Sequence, residues 1–187
     1  MRKLDLEQVE IERKCENMEM KTKKRWISAY VENQIGVLAK VSGLFSGKNY
    51  NLDTLTVGET EDPTMSRMTI GLTCDDLTYE QIVKQLNRSV EVIKVIDFTY
   101  VPIHKKELVF IKVNSCNEKD KEEIFRIVQT FNLTVVDYNK NTVLVQCVKT
   151  EQKNNDMIAL FSKTFINRIE VVRGGSVAIE AISLTDR

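Results

Sequence analysis

The sequence predicts an α+β fold in which the order strand–helix–strand–strand–helix–strand occurs twice. Short runs rich in β-branched and aromatic residues alternate with stretches whose apolar residues recur at helical spacing. Gly, Asn and Pro stand where these runs end, as turn formers should. The pattern of residues 25–100 returns after residue 107. We therefore expect two ferredoxin-like βαββαβ domains that repeat in architecture rather than in residues.

The first domain is predicted over residues 25–100. Its first helix has apolar residues on one face and is expected to end at Gly47, and its second is centred on Ile82 and Leu86. The apolar residues of the first helix are Val37, Leu38, Val41, Leu44 and Phe45. The predicted strands are residues 26–31, 51–57, 65–73 and 92–98.

The second domain is predicted over residues 108–187, after a polar linker at 101–107 that contains Pro102 and His104. Its helices are predicted around residues 124–128 and 157–165. Its strands are predicted at residues 108–113, 134–138, 143–148, 169–172 and 177–182. The pair Gly174-Gly175 is expected to form a turn or a bulge. Residues 1–24 are highly charged and are interpreted as a tail outside the core.

Composition limits the classes of partner and the compartment. Lys+Arg and Asp+Glu balance at 27 each, which favours neither nucleic acid nor an anionic membrane. No apolar run approaches the ~20 residues of a membrane span. The four cysteines form no CxxC pair, and the acidic N-terminal residues do not match a signal peptide. We therefore expect a cytoplasmic protein with reduced thiols.

A search for catalytic motifs favours a protein without an active site. The only histidine, His104, lies in the predicted linker, and no serine stands in a Gly-x-Ser-x-Gly elbow. The stretch 43–49 resembles a phosphate-binding loop, but it has three residues between its glycines and Asn after its lysine. No basic-aromatic strand motif of an RNA reader is present.

One loop has the properties of a ligand site. A strand is predicted to end near Glu32 and a helix to begin at or just after Gly36. A helix N-terminus offers free N–H groups to a carboxylate, and a glycine lets a ligand approach the backbone. Asn33 adds a neutral donor and acceptor, which favours a ligand without net charge. The alternative is that Gly36 only eases the turn and Asn33 only caps it.

These residues also carry a family resemblance. Asn33, the run Gly36-Val37-Leu38 and the run 49–52 resemble an ACT domain, a regulatory module that binds amino acids at dimer interfaces. The longer stretch 32–70, above all residues 62–70, resembles the regulatory small subunit of acetolactate synthase. The resemblance covers residues 25–182. It has two departures, because residues 1–24 have no counterpart in short bacterial members and residues 130–133 lack an expected arginine.

The resemblance implies a valine site between the ACT domains of two chains. The N–H groups of Gly36, Val37 and Leu38 would bind the carboxylate with help from Asn33. Small apolar side chains, Ile35 and Val37, would select the isopropyl group, and leucine or isoleucine would bind more weakly. The partner chain would contribute the residues that meet the ammonium and shape the pocket, Asn51 and Leu52.

The resemblance further implies a non-catalytic regulatory subunit that activates a catalytic large subunit and confers valine feedback inhibition in branched-chain amino-acid biosynthesis. Thiamine diphosphate, Mg²⁺ and FAD would belong to the large subunit, and this chain would hold no cofactor. The chain would form a homodimer through its ACT domains. Its second domain is assigned to docking and activation, and the stretch 59–67 to contact with the large subunit through Pro63, Ser66 and Arg67.

Two alternatives stay open at this point. One is an ACT-domain regulator of a different metabolic enzyme, against which the run 63–70 argues. The other is a small enzyme on a ferredoxin-like fold. It would need a titrating group near Asn33 and Gly36, where the sequence supplies only Glu32.

Overall fold

The computed structural model describes residues 22–46 and 50–182, and the chain divides into two compact units between Val101 and Pro102. Most of the predicted tail and the predicted helix end at Gly47 lie outside the described residues. Each unit contains one four-stranded antiparallel sheet and two helices. The predicted α+β class with two βαββαβ repeats is therefore confirmed.

The first unit contains a sheet of order β2-β3-β1-β4 with its helices on one face. Its elements are β1 (Lys23–Glu32), α1 (Val37–Ser46), β2 (Thr54–Glu59), β3 (Met65–Cys74), α2 (Asp76–Arg88) and β4 (Val92–Asp97). β1 and β3 pair along ten residues, from Lys23↔Cys74 to Glu32↔Met65. This long antiparallel pair is the centre of the sheet.

The core of the first unit follows from two periodicities. Alternate residues of β1 and β3 point to the helices, so that Ile27 lies beside Ile70 and Ala29 beside Met68, all nearly inaccessible. α1 buries Val37, Val41 and Phe45, four residues apart along the helix. α2 buries Tyr79, Ile82 and Leu86. The predicted apolar face of α1 thus packs on the sheet, except for its exposed Leu38.

The N-terminal end of α2 is fixed by polar contacts. Asp75 caps the helix by accepting from the Thr78 amide at 2.9 Å. The Tyr79 hydroxyl donates to Asp97 at 2.5 Å, and burial together with this carboxylate raises the pKa of Tyr79. The Arg25 guanidinium lies 4.7 Å from the Tyr79 ring and pairs with Asp76. These contacts join β1, α2 and β4.

The second unit repeats the arrangement with sheet order β6-β7-β5-β8. Its elements are β5 (Ile103–Val113), α3 (Glu118–Phe131), β6 (Thr134–Tyr138), β7 (Val143–Lys149), α4 (Glu151–Thr164) and β8 (Ile169–Glu180). Val109, Ile111, Val143 and Val145 form the sheet side of its core at zero exposure. α3 begins with a capping box between Asn117 and Asp120.

The predicted linker at 101–107 is wrong, because residues 103–107 form the first half of β5. They pair with β8 from Ile103↔Glu180 to Glu107↔Ser176. The charged side chains of this segment suggested a loop. Main-chain pairing with β8 nevertheless makes it a strand, and His104 lies in that strand opposite Ile179.

A bulge joins the two halves of the β5–β8 pair. The register shifts between Glu107 and Val109, Gly175 has φ +78°, and a Cβ on Gly174 would lie 3.3 Å from the Leu108 carbonyl oxygen. Of the turn or bulge predicted at the glycine pair, the structure shows the bulge. Residues 169–180 form one strand rather than the two predicted runs.

The bulge holds an ion pair between the buried Glu107 carboxylate and the more exposed Arg173. Glu107 is only 3% exposed, and the Arg173 guanidinium donates to both of its carboxylate oxygens, at 2.8 and 2.7 Å. Asn154 donates to the Glu107 carboxylate at 3.1 Å and to its main-chain oxygen at 3.0 Å. A buried carboxylate without such partners would cost several kcal/mol. The geometry of the bulge thus depends on three side chains from three elements.

One glycine in the first sheet is required by packing. Gly71 of β3 pairs with Trp26, and a Cβ at this position would lie 2.9 Å from the Trp26 ring and 2.6 Å from Thr54 Cγ2. Trp26 is 6% exposed, so it has little room to shift. A Cβ on Gly58 of β2 would meet nothing within 4 Å. Gly58 is therefore a suitable control position for a substitution at Gly71.

We predict that Gly71→Ala lowers the free energy of unfolding by ~1–3 kcal/mol because the added methyl forces the indole or Thr54 to move. Gly58→Ala should change it by no more than about 0.5 kcal/mol. Urea denaturation of the full chain measures both. Equal stabilities of the two variants would contradict the close packing of Trp26 on Gly71.

Candidate functional site

The loop between β1 and α1 (residues 33–36) has the geometry of a helix entry. Gly36 has φ +88°, in the left-handed region that favours glycine. The Lys40 amide donates to the Gly36 carbonyl at 3.0 Å, and the Val37 amide to the Gln34 carbonyl at 3.3 Å. Gly36 therefore turns the chain from the strand into the first turn of α1, as the sequence predicted.

The first turn of α1 keeps two amides available. The N–H groups of Leu38 and Ala39 donate to no other group within the part of the chain that the structure describes. This turn also contains no acidic residue. The Lys40 ammonium pairs with Glu91 at 2.5 Å, and this contact lowers the pKa of Glu91 to about 2. The geometry suits a carboxylate at the Leu38 and Ala39 amides, whereas the Val37 amide already donates to Gln34.

The side chains around this turn divide into exposed and buried groups. Ile35 is fully exposed and Leu38 is 48% exposed, which places two apolar side chains beside the free amides. Val37 is 4% exposed and packs in the core. The prediction that the Val37 side chain contacts an isopropyl group is therefore corrected, because this side chain is buried in the core. Leu38 and Ile35 are the exposed apolar side chains at this turn.

Asn33 joins this loop to the turn between β2 and β3 (residues 60–64). Its main-chain N–H donates to the Thr64 carbonyl at 2.8 Å, and its side-chain amide donates to the Pro63 carbonyl at 3.0 Å. Its side-chain oxygen accepts from the Ser66 hydroxyl at 3.0 Å. Asn33 was predicted to bind the ligand, and Pro63 and Ser66 were predicted to contact the large subunit. The structure joins these residues by hydrogen bonds.

The β2–β3 turn is closed by its own hydrogen bonds. The Thr60 amide donates to the Met65 carbonyl at 3.1 Å, and the Met65 amide to the Asp62 carbonyl at 2.9 Å. The Asp62 carboxylate accepts from the Thr64 hydroxyl at 2.7 Å and from its amide at 2.9 Å. These bonds hold the pKa of Asp62 below its usual range. The turn is therefore a small rigid unit.

Two predicted ligand residues lie away from this loop. Asn51 and Leu52 follow the C-terminal end of α1, whereas the loop precedes its N-terminal end. A helix of 10 residues is ~15 Å long, so one chain does not bring the two groups together. Asn51 is exposed and Leu52 packs against the core. A ligand that touches both groups requires two chains.

Arg67, the third predicted partner residue, lies on the sheet face that points away from the helices. Its Nε donates to the Ser28 hydroxyl at 2.7 Å, and its guanidinium carbon lies 5.3 Å from the centre of the Tyr30 ring. Ser66 is only 7% exposed and is already bound to Asn33, whereas Pro63 is exposed.

The sequence did not predict Ala39, Glu59 and Thr64 as neighbours of this loop. Glu59 and Thr64 come near Asn33 only through the register of the strands, which no local sequence pattern reports.

The described residues offer few groups for other chemistry. Residues 22–46 and 50–182 contain no cluster of three or more His, Cys, Asp or Glu side chains that could hold a metal ion. Burial raises the pKa of the thiols of Cys74, Cys116 and Cys147. In the same ranges no helix is long and apolar enough to cross a membrane.

Comparison with known proteins agrees with both units. A family model described as an AHAS small subunit-like ACT domain matches residues 27–94, and one described as the small subunit of acetolactate synthase matches residues 106–182. The acetolactate synthase small subunit of Aquifex aeolicus is 40% identical over 157 residues, which are 84% of this chain and 81% of that protein. The chain belongs to the acetolactate synthase small-subunit family.

Other members of the family support this assignment. The isozyme 3 small subunit of Escherichia coli is 33% identical over 83% of this chain and 94% of its own length. The crystal structure of the acetolactate synthase small subunit from Thermotoga maritima superposes with a TM-score of 0.77 at 33% identity, covering 85% of this chain and 98% of that one. The first unit is accordingly an ACT domain, and the resemblance found in the sequence is confirmed.

Proposed function

We propose that this chain is the non-catalytic regulatory subunit of an acetolactate synthase, that it activates the catalytic large subunit, and that it confers valine feedback inhibition. The observation that carries the valine site is the first turn of α1, where the free amides of Leu38 and Ala39 lie beside two exposed apolar side chains. Thiamine diphosphate, Mg²⁺ and FAD are assigned to the large subunit. The expected compartment is the cytoplasm.

The local chemistry supports a small zwitterion with an apolar side chain. Its carboxylate would accept from the Leu38 and Ala39 amides at the positive end of the helix dipole. The exposed side chains of Ile35 and Leu38 would contact the isopropyl group. A missing or extra methylene changes binding by only ~1–3 kcal/mol, so leucine and isoleucine should bind more weakly rather than not at all.

The ammonium end requires a second copy of the chain. Asn51 and Leu52 lie at the opposite end of α1 from the amides, and a partner in a two-fold ACT dimer would bring its own pair to them. A ligand at such an interface contacts both chains. It therefore shifts the equilibrium between two arrangements of the dimer by its difference in affinity for them. Valine would act on the large subunit through this shift.

The rival functions have less support. A regulator of a different enzyme would share the ACT domain, but the second unit also matches the small-subunit family over residues 106–182. A small enzyme would need an acid or base beside the free amides. The carboxylate nearest to these amides in sequence is Glu32, the last residue of β1.

We predict that valine raises the melting temperature of the full chain, because a ligand that binds only the native state stabilises it by mass action. Gly36→Asp should abolish this shift by placing a carboxylate beside the free amides. Gly36→Asn is the matched control, since it has the same shape, adopts positive φ more readily than other side chains, and carries no charge. A valine shift that survives in Gly36→Asp would contradict the proposed site.

Arg67 tests the contact with the large subunit. We predict that Arg67→Ala lowers activation of the reconstituted holoenzyme at least tenfold, or ~1.4 kcal/mol, if its guanidinium contacts the partner. Ser28→Ala is the control, because it removes the internal acceptor of Arg67 Nε and leaves the guanidinium in place. Full activation and unchanged valine sensitivity in Arg67→Ala would refute the contact.

A further inference from the structure

Asn33 connects the helix-entry loop to the β2–β3 turn by side-chain hydrogen bonds beyond the end of the β1–β3 ladder. It is the residue after β1, and its amide continues the β1–β3 ladder by bonding to the Thr64 carbonyl. Its side chain adds bonds to Pro63 and Ser66 from the same position. The helix-entry loop and the β2–β3 turn are thus joined through one exposed residue.

The hydrogen-bonding capacity of Asn33 is almost filled. A side-chain amide has two N–H donors, and here they point to the Pro63 carbonyl at 3.0 Å and, more weakly, to the Glu59 carboxylate at 3.5 Å. Its oxygen accepts from Ser66. A ligand carboxylate can therefore accept from this side chain only if the Pro63 or Glu59 contact is given up.

We propose that Asn33 is a positioning residue that couples the ligand loop to the β2–β3 turn: its amide binds the Pro63 carbonyl in the free chain and exchanges it for the ligand carboxylate. This inference rests on the proposed valine site and names the path by which its occupancy is transmitted. The released turn is held together by Thr60, Asp62 and Thr64, so it moves as one body and displaces the exposed Pro63.

The coupling can be measured first without ligand, by hydrogen–deuterium exchange of the full chain. Ser66→Ala removes one bond to Asn33 and leaves the helix-entry loop unchanged in sequence. We expect exchange at Val37 and Lys40, whose amides donate to the Gln34 and Gly36 carbonyls, to rise at least ~fivefold, since the loop loses part of its support. Thr73→Ala is the control, because it removes a hydroxyl from the other end of β3, where it bonds to Asp53 at 2.7 Å.

Exchange at core amides such as Ile27 and Ile70 distinguishes this effect from general destabilisation, and it should stay at the wild-type rate in both variants. A rise confined to Asn33 and residues 59–66 in Ser66→Ala would overturn the coupling. An equal rise at Val37 and Lys40 in Thr73→Ala would overturn it as well.

The second arm adds saturating valine to the wild-type chain. We expect slower exchange at Leu38 and Ala39 together with faster exchange at Asn33, whose amide donates to the Thr64 carbonyl of the released turn. Protection of the helix with unchanged exchange at Asn33 would overturn the coupling and leave the valine site standing. No change at any amide would count against the valine site itself, and the Ser66→Ala comparison would then decide the coupling alone.

Discussion

The ten-residue antiparallel pairing of β1 with β3 is the constraint on which the rest of the first unit depends. It puts the two strands in a register that buries Ile27 against Ile70 and leaves β1 ending opposite the start of β3. Because a one-residue slip would turn every side chain to the other face, the buried set fixes this register firmly. Asn33 then lies beside Thr64, and α1 begins where Gly36 turns the chain.

The position of the loop at residues 33–36 therefore follows from the geometry of the sheet. α1 must lie on the sheet to bury Val37, Val41 and Phe45, and its first turn begins where Gly36 turns the chain after β1. The same packing withdraws the Val37 side chain and leaves Ile35 and Leu38 exposed. An unusual exposure of apolar side chains beside unpaired amides is costly in a lone chain, and it is consistent with a surface that a ligand and a second chain cover.

The second unit has a different constraint, the β5–β8 bulge. Gly174 and Gly175 permit the shift in register, and Glu107 is buried there with Arg173 as its partner. Removing Arg173 would leave the buried Glu107 carboxylate without its counter-charge, which is costly, so the pair stabilises the bulge. The bulge carries β5 and β8 past the end of the core as a two-stranded extension.

The sequence was sufficient for the order of elements because apolar periodicity reports which face of a strand or helix is buried. It failed at Ile103–Glu107, where charged side chains resemble a loop and only pairing with β8 makes a strand. It also assigned Val37 to the ligand, since a helix pattern does not reveal which apolar residue lies at the rim. The contacts of Asn33 with Pro63 and Ser66 depend on strand register, and no local pattern encodes them.

In the proposed dimer the ligand site is divided between two chains, with the loop before α1 from one chain and Asn51 from the other. Complementation tests it most directly. Gly36→Asp and Asn51→Ala chains should each fail to bind valine alone. Co-refolded, they should regain binding, because each mixed dimer contains one intact site formed by the unaltered loop and the unaltered Asn51. Calorimetry that shows no valine binding by the mixture, although mixed dimers form, would contradict the shared site.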